Sequence, residues 1–271
     1  MDADQKSWLS GVFDRAAPTY DRVGDSYHDH FGRRLVESSG VRRGCRLLDV
    51  ACGRGAVLVP AAERCGPEGQ VLGIDFAPEM VEATRAAIGS RAGVDVRVMD
   101  AERLDLDGES FDAVLCSFGV FFFPAPEQAV AEMWRVLVPG GLVGLSSWTN
   151  DDDRWSWEGP LLRDLPVARR PSARPFDKAE DLEALVSGAR FTAVRTTLEH
   201  HEIVFGNEAE WWEWKWSYSV RGVLEQVDEE GRDAFRDAAF AAMQPLRDEG
   251  GFPMRLTAAF TFGEKPLAAQ T

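Results

Sequence analysis

Leu47-Leu48-Asp49-Val50-Ala51-Cys52-Gly53-Arg54-Gly55-Ala56-Val57 reads as a buried strand, a glycine-rich turn and the start of a helix, with a carboxylate among the strand's last residues. Gly53 and Gly55 let backbone approach a ligand where a side chain would clash, and a helix starting near Ala56 aims free N–H groups into the same space. The run predicts a site for a nucleotide-like cofactor, with a plain tight turn as the alternative. Acidic residues recur after the next two strand candidates: Asp75 after residues 70–74, and Asp100 with Glu102 after residues 94–99. Asp49, Asp75 and Asp100 follow one another at about 25 residues, one strand-helix unit each, and the carboxyl ends of parallel strands line one crevice. Asp75 is placed for a ribose diol, and Asp100 or Glu102 for an adenine amino group.

A fourth strand, residues 111–118, brings Ser117 and Phe118 to the same edge, and a helix closed by Pro139-Gly140-Gly141 precedes a fifth strand at residues 141–148. In this order the chain resembles the class I S-adenosylmethionine-dependent methyltransferases, over roughly residues 13–148, and within them the small-molecule branch of quinone and natural-product enzymes (methyltransferase type 11-like). The family's first motif is commonly Asp-x-Gly-x-Gly-x-Gly; here Ala51 stands at its first glycine. The resemblance implies an α/β fold, a doubly wound Rossmann-like sheet of seven strands whose last strand, residues 254–262, inserts antiparallel between strands five and six. It implies S-adenosyl-L-methionine as cofactor, held by Asp49, Ala51, Gly53 and Gly55, by Asp75 on the ribose with Phe76 and Met80 beside it, by Asp100, Ala101 and Glu102 at the adenine, and by Ser117 and Phe118. Residues 13–21 look like the family's N-terminal signature, which places Tyr20 over the cofactor; a tyrosine that only anchors the helix is the alternative.

Two other classes compete. A nicotinamide-dependent oxidoreductase would carry G-x-G-x-x-G, but Gly53-Arg54-Gly55-Ala56-Val57-Leu58 lacks the third glycine. A methyltransferase fold that binds cofactor without transferring methyl would share every cofactor motif.

The 271 residues suffice for one core with an appended cap, and 30 Lys and Arg against 45 Asp and Glu give a formal charge of −15, which disfavours a nucleic-acid substrate. Residues 117–124 also lack the Asn/Asp-Pro-Pro-aromatic motif of the amino-methylating DNA enzymes. Cys45, Cys52, Cys65 and Cys116 show no metal-ligand or redox spacing, so no metal is expected. Neither a leader nor an apolar run of membrane length opens the chain, and the expected location is the cytoplasm, with no membrane partner.

Patterning divides the chain into an N-terminal helical lid (1–40), the cofactor core (41–150), an insertion punctuated by Pro160, Pro166, Pro171 and Pro175 (151–178), core continued (179–206), an aromatic helical cap (207–251) and the last strand (252–271). In the lid, Trp8, Val12 or Phe13, and Ala16 keep helical spacing, as do Tyr27, Phe31 and Leu35. The cap opens on Asn207 and carries two aromatic stripes, Trp211, Trp214, Tyr218 and Trp212, Trp216, Val220, Val223. One stripe is expected to pack on the core and the other to meet substrate or another subunit, with packing of both stripes inside one large core as the alternative; the N-terminal helices or the cap are the surfaces expected for a homo-oligomer, if one forms. A planar apolar small-molecule acceptor is expected between Tyr27, Phe122, Phe123, Trp148, Trp155, Trp212 and Trp216.

A sulfonium methyl reacts by in-line displacement, so positioning supplies most of the catalysis, and a base is needed when the acceptor is a phenol or alcohol. O-methylation is expected, with C- or N-methylation of an isoprenoid or indole as the alternative. Among His28, His30, His200 and His201, only His28 shares a helical face with Phe31 and Leu35 near the expected mouth, so His28 is the candidate base; a proximity-only mechanism needs none.

Overall fold

The computed structural model describes residues 3–149, 152–171 and 176–267. Residues 1–2, 150–151, 172–175, with Pro175 of the expected insertion among them, and 268–271 lie outside the described residues.

The first half alternates strand and helix. Two helices, α1 (Ala3–Ala16) and α2 (Tyr27–Ser39), precede β1 (Arg46–Val50), α3 (Leu58–Cys65), β2 (Gln70–Asp75), α4 (Pro78–Ile88), β3 (Val94–Val98), β4 (Phe111–Ser117), α5 (Pro126–Val136) and β5 (Leu137–Thr149). Both α4 and α5 open on proline, whose missing N–H is no loss in a first turn. The sheet order is β3-β2-β1-β4-β5-β7-β6, adding β6 (Thr192–Phe205) and β7 (Phe252–Glu264). Five strands pair in parallel; β7 runs antiparallel to both β5 and β6 and lies between them, as expected. Leu47 and Leu48 are both fully buried and belong to different apolar clusters, so β1 is covered on both faces.

Two expectations on boundaries shift. The first crossover helix starts at Leu58, and residues 53–57 form turns. The segment Leu137-Val138-Pro139-Gly140-Gly141 is the start of β5 and not the end of a helix: Gly140 (φ 81°) donates to Lys265 O at 2.8 Å, and the β4–β5 register slips between Phe111 and Ala113 to absorb the irregularity.

The second half adds α6 (Glu158–Arg163), α7 (Ala179–Gly188), α8 (Glu208–Trp216), α9 (Arg221–Leu224) and α10 (Glu229–Met243). Asn207 Oδ1 accepts from Glu210 N and Asp228 Oδ1 from Gly231 N, capping α8 and α10. The insertion and the cap pack as neighbours: α6 lies on α10, and Gln226 exchanges two bonds with the backbone of Arg169. At Gly222 a side chain would strike Val12 and Trp8, so that glycine lets α9 come close to α1. Cys45 and Cys65, far apart in sequence, lie side by side as free thiols. None of the described helices is long and apolar enough to cross a membrane.

Candidate active site

The turn after β1 has three consecutive left-handed features: Ala51 (φ 56°), Gly53 (φ 50°) and Gly55 (φ 90°). For alanine this conformation costs about 1–2 kcal/mol. Room for its methyl comes from across the cleft, where a side chain on Gly119 would meet the Ala51 Cβ at 2.6 Å. The turn frames a cleft of about 330 Å³ lined by Tyr20, His28, Asp49, Gly53, Arg54 and Ser117 among others. Asp49 is 1% exposed, and its Oδ2 has no hydrogen-bond partner. A buried carboxylate oxygen left unpaired is costly, and it matches the ammonium that an amino-acid moiety would bring. Burial, then the neighbouring charge of Asp75, pushes the Asp49 carboxyl well above its usual range.

Asp75 closes β2 and accepts from Gly53 N (2.8 Å) and Ala77 N (3.0 Å), tying the glycine turn to the start of α4. Burial raises its pKa to about 6, against the opposing pull of those N–H donors. A raised carboxyl pKa means that the ionised form is disfavoured in the fold. Ligand hydroxyls that donate to Asp75 favour that ionised form, so binding expels a proton below about pH 6. Through this carboxyl, cofactor affinity, measured by calorimetry, is therefore expected to fall by up to about tenfold per unit as pH drops below about 6. Asp75→Ala should weaken binding by about 1.5–3 kcal/mol and flatten this dependence; an unchanged profile would remove Asp75 from the site.

At the far end Asp75, Phe76, Asp100, Ala101, Glu102, Phe122 and Phe123 line a compartment of about 90 Å³. The lid covers it: Leu9 lines it from α1, and Lys6 pairs with Asp100 (2.6 Å) and Glu102. Phe13 of α1 packs edge-on against Tyr20, Phe76 and Phe122. Between the two compartments a narrow passage touches Phe76, Met80, Ser117 and Phe118. Gly55 lines none of these spaces; its part is the turn itself, where a side chain would crowd Thr84 at 3.3 Å.

A separate cavity of about 470 Å³ opens beside the passage, walled by Tyr27, Phe118, Phe121, Phe122, Trp148 and Trp214 among others. Phe118, at φ 56°, stacks on Trp148 with centroids 3.8 Å apart and planes 9° apart, and its N–H is held by Ser146. Tyr20 and His28 line both the cofactor cleft and this cavity. Asp21 joins them. Its Oδ1 accepts from His28 Nδ1 and from His28 N, both at 3.2 Å, and its Oδ2 accepts from Asp29 N. That carboxylate caps α2 from outside, because Ser26 turns its hydroxyl back to Asp21 O. His28 Nε2 then faces the Tyr20 hydroxyl at 3.2 Å.

Other expected acceptor contacts fall elsewhere. Trp212 and Trp216 do not line the cavity: they pack against each other, with Trp212 on Phe235. The helix stops at Trp216, where Ser217 Oγ donates back to Trp214 O, so the two stripes do not continue; Trp214, Lys215 and Tyr218 reach the cavity instead. Trp155 is a core residue whose indole donates to Pro253 O at 3.0 Å, and Phe123 faces the compartment of about 90 Å³. His200 binds Thr257 Oγ1, and His30 stacks on His201 at 4.0 Å, away from both cavities. Sequence reasoning passed over Asp21, Lys6, Glu158, Arg170 and Lys215. Only Lys215 carried a visible signal, a lone cation inside a run of tryptophans.

The unpaired Asp49 oxygen, the open glycine turn and the Asp75 carboxylate suit S-adenosylmethionine: the first for its ammonium, the second for close backbone approach, the third for its ribose. A methyltransferase-domain profile matches residues 48–145. Aklanonic acid methyltransferase DauC of Streptomyces sp. (strain C5) is 36% identical over 212 residues, covering 72% of this chain and 96% of the relative. Nocamycin O-methyltransferase of Saccharothrix syringae is 35% identical over 241 residues, covering 82% and 86%. The solved YcgJ protein of Bacillus subtilis shares the fold at 21% identity, with a TM-score of 0.61 over 88% of this chain and all of that one. Turn, acidic strand ends, inserted β7 and relatives agree: this chain belongs to the S-adenosylmethionine-dependent methyltransferases.

Proposed function

We propose that the protein O-methylates a small, planar, largely apolar metabolite, with His28 as the general base. The observation that carries this reading is the chain Asp21–His28–Tyr20 at the junction of cofactor cleft and aromatic cavity. When bound, S-adenosylmethionine supplies an electrophilic methyl group. Asp49, the 51–55 turn, Asp75 and Met80 hold it, with Asp100, Ala101 and Glu102 at the adenine end. Asp21 fixes the imidazole with its proton on Nδ1, leaving the Nε2 lone pair toward Tyr20.

A bare tyrosinate is disfavoured here, since burial drives the Tyr20 phenol far above its usual range. The Tyr20 hydroxyl instead passes its own proton to Nε2 as it receives that of the acceptor, so no phenolate stands free. Aromatic walls from Tyr27, Phe122 and Trp148 orient the ring and exclude water, and α1 covers the adenine side. Two relatives whose names specify natural-product substrates, one of them an O-methyltransferase, support this reading.

The test is product analysis after incubation with labelled cofactor and a panel of planar hydroxylated aromatics. The new methyl is expected on oxygen, by NMR. A methyl on carbon or nitrogen overturns the O-methylation reading, and cofactor binding without any methylated product returns the chain to a binding-only role.

A further inference from the structure

Cys45 and Cys65 have no redox spacing in the sequence, yet the fold brings them together. Cys45 directly precedes β1 and Cys65 is the last residue of α3, and their sulfurs lie 2.6 Å apart as free thiols. The two backbones are already tied at this point. Gly44 N donates to Cys65 O at 2.7 Å, and Cys45 O accepts from Gln70 N at 3.0 Å at the start of β2. Gly69 closes over the pair, where a side chain would meet Cys65 Cβ at 2.5 Å and Cys45 O at 3.0 Å. A covalent link between the two sulfurs therefore asks for side-chain rotation and little from the backbone.

A thiol is a weak donor and a weak acceptor, so the mutual hydrogen bond adds little to stability and does not explain two cysteines at this spot. Cys45 is half-buried and open to a small reagent, whereas Cys65 is buried. Neither lines the cofactor compartments or the aromatic cavity. The pair sits at the amino end of β1, while Asp49 and the glycine turn sit at its carboxyl end. A ring closed between positions 45 and 65 would enclose β1, the whole turn and α3, bracing the cofactor unit from behind.

We propose that Cys45 and Cys65 are a site of oxidative modification, at which a small organic disulfide converts the two thiols into an intramolecular disulfide that braces the β1–α3 unit and leaves the cofactor site open. The Cys45 thiolate attacks one sulfur of the reagent, whose S–S bond breaks and releases a first small thiolate. Cys65, losing its proton to solvent, then attacks the Cys45 sulfur and displaces the second. The two electrons given up by the cysteines reduce the reagent to two thiols.

Peptide mapping and melting test it on the full chain, freed of reductant and incubated with oxidised glutathione. The exchange is run at about pH 8.5, because the hydrogen bond with Cys65, and then burial, raise the Cys45 thiol and slow the first attack. After alkylation under denaturing conditions, tryptic digestion without reductant is expected to yield residues 44–46 joined to residues 65–85, with Cys52 and Cys116 alkylated. Because the ring constrains the unfolded chain, the oxidised protein is expected to melt about 5 °C or more above the reduced one. Its affinity for S-adenosylhomocysteine, by calorimetry, is expected to stay within about twofold of the reduced protein. Cys45→Ser is expected to lose both the cross-link and the gain in melting temperature. Glutathione retained on Cys45 without a cross-link, recovery of every cysteine as the alkylated thiol, a cross-link that leaves the melting temperature unchanged, or one that abolishes cofactor binding overturns the proposal.

Discussion

His28→Ala is expected to lower kcat by about 10²–10⁴-fold with little change in the acceptor KM. The size follows from what the residue touches. His28 lies between Asp21 and the Tyr20 hydroxyl, which lines both cavities, so on the proposed mechanism its loss removes the destination of the acceptor's proton. His28→Gln separates chemistry from packing: it keeps a side chain able to bond Asp21 and Tyr20 but cannot take up a proton at neutral pH. A kcat within twofold of the parent in either variant would leave a proximity-only mechanism and reduce His28 to a support for Tyr20.

Asp49→Asn is expected to move stability and binding in opposite directions. With burial and the charge of Asp75 both raising the Asp49 carboxyl pKa, its ionised form costs the fold stability. The sign follows: the penalty is absent below the unfolded value of about 4 and grows as pH rises above it, so the ligand-free variant should melt higher than the parent at pH 7 and equally at pH 4. Removing the unpaired charge is worth about 1–3 kcal/mol, a few degrees in a chain of this size. Cofactor affinity should fall by about 10–150-fold as the charged partner of the ammonium is lost. Calorimetry and thermal melts on one preparation decide it. A variant that melts lower and binds normally would make Asp49 a structural residue.

The cofactor half of the site was legible because it is local: one short segment supplies strand, carboxylate and left-handed turn, and Asp75 and Asp100 follow at the spacing of the crossover unit. Where Ala51 stands in place of glycine, space for its methyl is made by Gly119, two residues beyond the end of β4. The acceptor half resisted because it depends on where a helix stops. The heptad-like pattern of residues 211–223 assumes one continuous helix, but Ser217 ends α8, and a change of direction hands the cavity to Trp214, Lys215 and Tyr218 rather than to Trp212 and Trp216. Asp21 was hidden for another reason. It acts through a side chain that reaches seven residues ahead to His28, and neither strand nor helix periodicity marks such a contact.

The covering by α1 of the small compartment proposed for the adenine also bears on the order in which ligands come and go. Lys6 and its two carboxylate partners retain some exposure to water, so these ion pairs contribute at most about 1 kcal/mol and are screened by salt. What holds the covering down is apolar: Leu9 and Phe13 are buried against Ala77 and Met80, with Phe76 and Phe122 beside them. On the proposed placement, exchange of spent for fresh cofactor parts those contacts, whereas the aromatic cavity shares only Phe13 with α1 and is otherwise walled by residues 20–28, the 158–171 segment, the cap and the strand ends. Steady-state kinetics should therefore be ordered, cofactor first on and its demethylated product last off, with a turnover rate that answers to temperature far more than to ionic strength.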